Sequence, residues 1–282
     1  MSTISREVQI IGNGLMKNKP CTINLYPSDE GVIRFFIKDF STPIVLDVDN
    51  VESTSHCVVL GSKKNSIMLT EHFTAACAIL GIDSLDVHAT ETEMPILDGS
   101  AKSWIELFLK AGVEKTTPQP VEIKEPIYYL NGKTHMIILP DDKLRISYGV
   151  NYNHPDLRYR QVSYDGTNLQ EIIEARTFGY FKDLKKYQLF GYARGVSYEN
   201  TVGMLDDGYT TELRSEFEPA KHKILDLIGD LYLAGVNPLG LKAQIVVKEA
   251  GHAVHVKVAK MLKCALMKGE INEWRKYFKF WY

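Results

Sequence analysis

Apolar and polar side chains alternate through the opening of the chain, the period of half-buried β-strands. The alternation predicts strands over Arg6–Gly12, Pro20–Tyr26, Val32–Ile37 and Ile44–Val48, with a turn at Pro27–Gly31. Shorter apolar runs at Cys57–Leu60 and Ser66–Thr70 predict two more. The period then changes. Phe73, Ala76, Cys77 and Leu80 recur at helical spacing from Thr70 onward, and Gly81 stands where a C-terminal cap belongs. Ser84–Thr90 alternates again, and Asp98-Gly99-Ser100 opens a second helix, Ala101 to about Lys110, with Trp104, Ile105 and Phe108 facing inward. Thr116–Pro120, broken by two prolines, is the linker candidate.

Beyond it the same order returns. Strands are predicted at Val121–Lys124, Pro126–Leu130, His135–Leu139 and Leu144–Tyr152. An aromatic-rich segment follows, then a helix from about Ser215 to Ala234 stopped by Gly235. Ala243–Val247 is a strand and Ala253 to about Met267 a last helix. Strands, helix, strand, helix in both parts is a weak internal duplication, visible as order rather than as residue identity. The expected fold is α+β: two related halves, 1–117 and 118–282, each a mainly antiparallel sheet with helices, the helical layers packed between the two sheets. An insert at about 178–205 belongs to the second half.

Within the long helix, His222, Asp226 and Asp230 fall inside about 80° of one another on one face. The other faces carry Ile224, Leu225, Leu227, Ile228, Leu231, Tyr232 and Leu233. A helix apolar nearly all round is a buried one, so two carboxylates are predicted deep in the protein. Buried charge is costly unless it is paired, hydrogen-bonded or bound to a metal. A His and an Asp four residues apart can ligate one ion, with Asp230 serving a neighbouring group; a hydrogen-bonded polar cluster is the other reading.

Composition narrows the class. With 282 residues, 45% hydrophobic and 24% charged, the chain can bury a sizeable core. A net charge of −2 and no basic run argue against a nucleic-acid partner. The N-terminus has no apolar stretch of a secretion signal, and no run approaches the roughly 20 apolar residues of a membrane span. Cys21, Cys57, Cys77 and Cys264 form no C-x-x-C pair and read as reduced thiols. A cytoplasmic protein, monomeric and without a membrane-spanning segment, is expected.

Two histidines and a carboxylate with an open fourth position make a catalytic zinc site, and His72, His222 and Asp226 can supply it if the halves pack face to face. Glu71, beside His72, is then placed to act as a base, or simply to complement the helix dipole as a first-turn acid. His252 follows a strand at the mouth of the last helix, where a second acid can reach the site, although a lone His there is more often a cap.

Thr70-Glu71-His72, Glu93–Ala101 (EMPILDGSA), Asn153-His154-Pro155, Ala175–Gly179 (ARTFG), His222–Tyr232 (HKILDLIGDLY) and Gly251-His252 occur in this order along nearly the whole chain. Together they resemble the UDP-3-O-acyl-N-acetylglucosamine deacetylase family, zinc enzymes of lipid A synthesis. The resemblance implies one Zn2+ per chain on His72, His222 and Asp226, with Fe2+ the alternative ion. It implies Glu71 as general base and His252 as the cation that stabilises the oxyanion and protonates the leaving amine. Asp230 is implied to orient His252, Thr177 to help hold the oxyanion, and Lys223 to contact substrate. Phe178 would line the acyl-chain passage in the aromatic insert, and Tyr152 would pack on the sugar or nucleotide. The implied partner is a UDP-linked acylated amino sugar, in a Gram-negative type of bacterium.

Two departures bear on substrate choice. The family pattern Gly-x-Gly-Leu-His-Thr-Gly reads Gly12 to Asn18 here, with Met16 at the His position and Asn18 at the last Gly. The Gly-Gly-Ser expected in the insert is Gly195-Val196-Ser197. The rival functions are deacetylation of a different acylated amino sugar and a non-catalytic homologue used as a binding protein; the retained Glu71, His72, His222, Asp226 and His252 disfavour the second.

Overall fold

The computed structural model describes residues 1–113 and 115–277, and of 269–277 only the helical backbone. The first half opens with strands β1 (Val8–Asn13), β2 (Pro20–Pro27), β3 (Ile33–Ile37) and β4 (Ile44–Val45). A three-stranded sheet of β5 (Val51–Ser53), β6 (Val59–Ser62) and β7 (Asn65–Met68) follows, then helix α1 (Glu71–Leu80), strand β8 (Leu85–Ala89) and helix α2 (Lys102–Lys110). The second half contains β9 (Val121–Glu122), β10 (Ile127–Asn131), β11 (Thr134–Pro140), β12 (Arg145–Val150) and β13 (Arg160–Tyr164). After them come α3 (Leu169–Ile173), β14 (Thr177–Tyr180), α4 (Leu184–Leu189), β15 (Thr201–Met204), α5 (Glu218–Tyr232), β16 (Leu241–Lys248) and α6 (His252–Tyr277).

The duplication hinted at by element order is plain in the sheets. The first runs β1-β2-β8-β3-β4 and the second β10-β11-β16-β12-β13, with β9 added beside β16. In each, the last strand inserts into the middle, antiparallel to one neighbour and parallel to the other: β8 beside β3, β16 beside β12. The remaining main pairings are antiparallel. Helices α1 and α5 precede these central strands and α2 and α6 follow them. Each half also carries its extra sheet at the same place, β5–β7 before α1 and the β14–β15 pair before α5.

Alternation in the strands delivers one buried face per sheet, as Ile23, Leu25, Phe35 and Val87 do in the first and Met136, Ile138, Ile245 and Val247 in the second. Against these faces pack α1 and α5, every residue of which is buried. Phe73 of α1 meets Phe35 of β3 edge-on at 5.8 Å and Trp104 of α2 at 5.2 Å. The two buried helices then lie against each other. A β-carbon on Gly229 would stand 2.1 Å from the Glu71 carbonyl oxygen, and the Thr74 hydroxyl bridges the carbonyls of Glu71 and Gly229 at 3.0 and 3.1 Å. A side chain at 229 would hold the helices apart. The helical layers therefore lie between the sheets, as expected.

Several boundaries differ from the sequence reading, each for a local reason. The predicted strand Ile44–Val48 stops at Val45 because Asp47 caps a short 3-10 turn, its carboxylate accepting from Asp49 N. The runs at 57–60 and 66–70 form strands shifted to Val59–Ser62 and Asn65–Met68, in a sheet of their own. Leu69, at φ 62, turns the chain out of β7 into α1, and Phe217, at φ 55, does the same before α5, which begins at Glu218 with Pro219 behind it. Strand β13 is absent from the sequence reading although it alternates, with Val162 and Tyr164 buried, whereas the elements of the insert are too short and mixed for an alternation test. The last helix starts at His252 and runs to Tyr277, past the Met267 expected. Glu114 in the first expected half and 278–282 in the second lie outside the described residues.

Candidate metal centre and active site

His72 comes from the first turn of α1, while His222 and Asp226 lie one turn apart on α5. The close crossing permitted by Gly229 brings them together. Asp226 Oδ1 is 3.3 Å from His222 Nε2 and 3.7 Å from His72 Nε2, and the three ligand atoms all lie within 4.8 Å of one another. All three residues are buried. His222 Nδ1 is 2.9 Å from the Ala175 carbonyl, which can only accept, so Nδ1 carries the hydrogen and the Nε2 lone pair points into the group. Phe178 holds the same ring from the side, edge-on at 6.0 Å.

A dication fits this set. Asp226 Oδ1 has no hydrogen-bond partner among the described residues although it is buried between two imidazole nitrogens. A buried orphan acceptor costs about 1–3 kcal/mol, and more when charged, so it calls for an ion or a water. Burial works against an ionised Asp226, yet Lys223, His222 and His252 outweigh it and hold the carboxyl well below its ordinary range. The donor set, two imidazoles and a carboxylate with an open side, is that of catalytic zinc.

Around the ligands sits a second group. His252, the first residue of α6, gives Nδ1 to Asp230 Oδ2 at 2.8 Å, leaving Nε2 3.9 Å from both Glu71 Oε1 and Asp226 Oδ2. Burial lowers the affinity of this ring for a proton, but Asp230, Asp226 and Glu71 more than reverse that and raise His252 to about 9. Asp230 itself is pulled below the usual carboxylate range: burial opposes this, and His252 and His255 overcome it. Glu71 moves the other way, raised by burial and by the carboxylates of Asp230 and Asp226 against the pull of His252 and His72. Its Oε2 is buried without a hydrogen-bond partner among the described residues. The site thus holds one carboxylate tuned upward and one imidazole tuned to stay cationic.

The other anticipated residues fall around the same cavity, which has a volume of about 560 Å³. Lys223 lines it, but its ammonium also sits 2.5 Å from Asp226 Oδ2. Thr177, Phe178 and Tyr152 line it as well, with the Tyr152 and Phe178 rings edge-to-face at 5.3 Å. Met16 and Val196, the two departures, both lie on the wall.

The remaining motifs are braces. Gly99, at φ +79, has no space for a β-carbon beside Asn200 O, and its carbonyl takes the Thr177 N–H at 2.8 Å, which fixes the start of β14. Glu93 accepts from the backbone N–H groups of Met16 and Lys17 and so holds the N-terminal loop on the cavity. Arg176 forms a buried pair with Glu218 at 2.9 Å, tying the Ala175–Gly179 segment to the start of α5. His154 bonds the Gly208 carbonyl at 2.9 Å, a structural task.

The family model for UDP-3-O-acyl N-acetylglycosamine deacetylase (LpxC) matches residues 1–264. The chain belongs to this deacetylase family. Curated relatives carrying the name UDP-3-O-acyl-N-acetylglucosamine deacetylase agree. The protein of Leptospira biflexa serovar Patoc is 33% identical over 286 residues, covering 97% of this chain and 93% of that protein. Those of a Sulfurovum species and of Thermodesulfovibrio yellowstonii are 36% and 31% identical, covering 84% and 92% of this chain and 83% and 90% of theirs. As a family member the chain is a metal-dependent amidohydrolase, and the grouping of His72, His222 and Asp226 suits its zinc ion.

Sequence reasoning missed two residues of the deacetylase centre. His255 gives Nδ1 to the same Asp230 oxygen at 2.8 Å, and its Nε2 is 2.8 Å from the Tyr148 hydroxyl. Burial lowers the His255 pKa against the pull of Asp230, so this ring is the neutral one of the pair. The signal was present: His252 and His255 are three apart, on one face of a helix. Tyr148, on β12, carried none. His56, on the β5–β6 turn, also reaches the cavity, 5.8 Å from the Tyr187 ring and 5.6 Å from that of Tyr192.

Proposed function

We propose that this chain removes the N-acetyl group from UDP-3-O-acyl-N-acetylglucosamine by zinc-dependent hydrolysis, releasing acetate and leaving a free amine, an early committed step of lipid A biosynthesis. One observation carries the reading: a single cavity wall joins the His72, His222 and Asp226 donor set to a carboxylate tuned upward, Glu71, and an imidazole kept cationic, His252.

Zinc, when bound, polarises a water and brings its pKa towards about 7. Glu71 takes the proton from the attacking water; its raised pKa brings it nearer the operating pH, where a base works best. The water oxygen adds to the acetyl carbon and negative charge develops on the carbonyl oxygen. His252 Nε2–H and the Thr177 hydroxyl supply hydrogen bonds to that oxygen. As the carbon–nitrogen bond breaks, a proton passes to the amine nitrogen from His252, which Asp230 holds in place through Nδ1. Lys223 keeps Asp226 anionic, and its remaining N–H groups are available to the substrate. Phe178 and the cavity-lining aromatics of the insert, Phe181, Tyr187 and Tyr192, receive the acyl chain, and Tyr152 packs on the sugar or nucleotide. Among the described residues no helix is long and apolar enough to cross a membrane. The four free thiols suit a reducing compartment, and the cytoplasm is the proposed location.

Two variants test the roles. Glu71→Ala keeps its zinc and loses turnover by orders of magnitude, whereas Asp226→Ala loses zinc affinity. Parent-like turnover and zinc content in both would overturn the assignment.

A further inference from the structure

Helix α4 buries none of its residues. Leu184, Tyr187 and Leu189 on it, and Phe190 after it, belong neither to the core nor to the apolar side chains packed upon it. Leu189 is 86% exposed, Phe190 71% and Tyr198 61%, and Phe181, Tyr187 and Tyr192 are exposed beside them. Single exposed apolar residues are ordinary; this many in one short segment mark a surface with a partner.

Charge says which partner. Between Tyr180 and Tyr198 stand Lys182, Lys185, Lys186 and Arg194, of which Lys182 is paired with Asp206 at 3.4 Å, leaving three cations against Asp183, the one carboxylate of that span, in a chain whose net charge is −2. Lysines are depleted from the centre of protein–protein interfaces, whereas an apolar tip ringed by cations and tyrosines suits the boundary of an anionic bilayer. The patch is also continuous with the cavity, since Phe181, Leu184, Tyr187, Tyr192 and Tyr198 line it.

We propose that the α4 segment docks on a lipid surface bearing anionic headgroups. Leu189 and Phe190 enter the interface, and Lys185 and Lys186 lie against the headgroup phosphates. Docking sets the cavity mouth at the bilayer, where an acyl chain can pass between lipid and protein; that consequence rests on the deacetylase reading, while the docking itself does not.

The test is co-sedimentation with vesicles of phosphatidylcholine alone or mixed with phosphatidylglycerol, at low and high salt. The parent should pellet with the anionic vesicles, less so at high salt, and far less with phosphatidylcholine alone. Leu189→Ser/Phe190→Ser and Lys185→Glu/Lys186→Glu should each weaken binding by at least about tenfold. Both should keep the parent's melting temperature, because the four side chains bury nothing, and its turnover in solution, because none lines the cavity. A parent that ignores anionic vesicles, or variants that pellet like the parent, would overturn the proposal. So would a concentration-dependent dimer abolished by Leu189→Ser/Phe190→Ser without vesicle binding, which would give the face to a second copy of the chain.

Discussion

Gly229 lies so close beneath Glu71 that a β-carbon built on it stands 2.1 Å from the Glu71 carbonyl oxygen and 2.9 Å from the Thr74 hydroxyl. The contact joins the two halves at the point where the ligand from α1 meets those from α5. Because the obstacle is backbone, no rotamer can relieve it. Gly229→Ala should cost about 1–3 kcal/mol of stability as the helices separate. Zinc affinity should fall with it, since His72 moves with α1. Chemical denaturation and zinc titration of the variant check both, and a parent-like zinc affinity would mean that the crossing does not set the site.

Protonation sets a second expectation. Turnover needs Glu71 ionised and His252 protonated, so the rate should be bell-shaped in pH. Burial raises Glu71 in the metal-free protein, and a dication at the neighbouring ligands favours its ionised form, so the acid limb of the zinc enzyme lies at or below the metal-free position. His252, raised to about 9, loses its proton as pH climbs, so activity falls on that side. A dication at the neighbouring ligands adds positive charge and sets the alkaline limb of the zinc enzyme at or below that value. Asp230→Asn removes the anion 2.8 Å from Nδ1 and should move the alkaline limb down by about 1 unit or more with zinc content unchanged. A pH–rate profile of parent and variant gives the answer; an unmoved alkaline limb would remove His252 from the acid's role.

Lys223 gives a third. Its ammonium lies 2.5 Å from Asp226 Oδ2 in a buried setting, so it neutralises the ligand when no metal does. Lys223→Met should therefore destabilise the metal-free protein by about 3–5 kcal/mol, the cost of stranding a buried charge. Zinc should restore much of that loss, and the rise in melting temperature on adding zinc should be larger in the variant than in the parent. An equal rise in both would show that the lysine and the ion do not share Asp226.

The fold was largely legible because both of its signals are periodic. Alternation found the strands of the two main sheets except β13, and the apolar surround of Ile224, Leu225, Leu227 and Ile228 marked α5 as buried with its two carboxylates. Position within a sheet was not legible: nothing local says that β8 and β16 enter at the centre, because that is decided by which helix covers which face. The short sheet β5–β7 and the insert were blurred for the same reason. At the site, His222-x3-Asp226 was readable as spacing on one helix, but His72, Glu71 and His252 come from other elements and needed the family resemblance to join it. His255 was readable as a spacing and passed over. The Ala175 carbonyl that fixes the tautomer of His222 leaves no trace in residue identity at all.

The central claim, hydrolysis at a single zinc held by His72, His222 and Asp226, is tested most directly by measuring deacetylation of UDP-3-O-acyl-N-acetylglucosamine while zinc is titrated into the metal-free protein. Amine release should rise in proportion to bound zinc and level off at one ion per chain. Full turnover by a sample shown to contain no metal would contradict it.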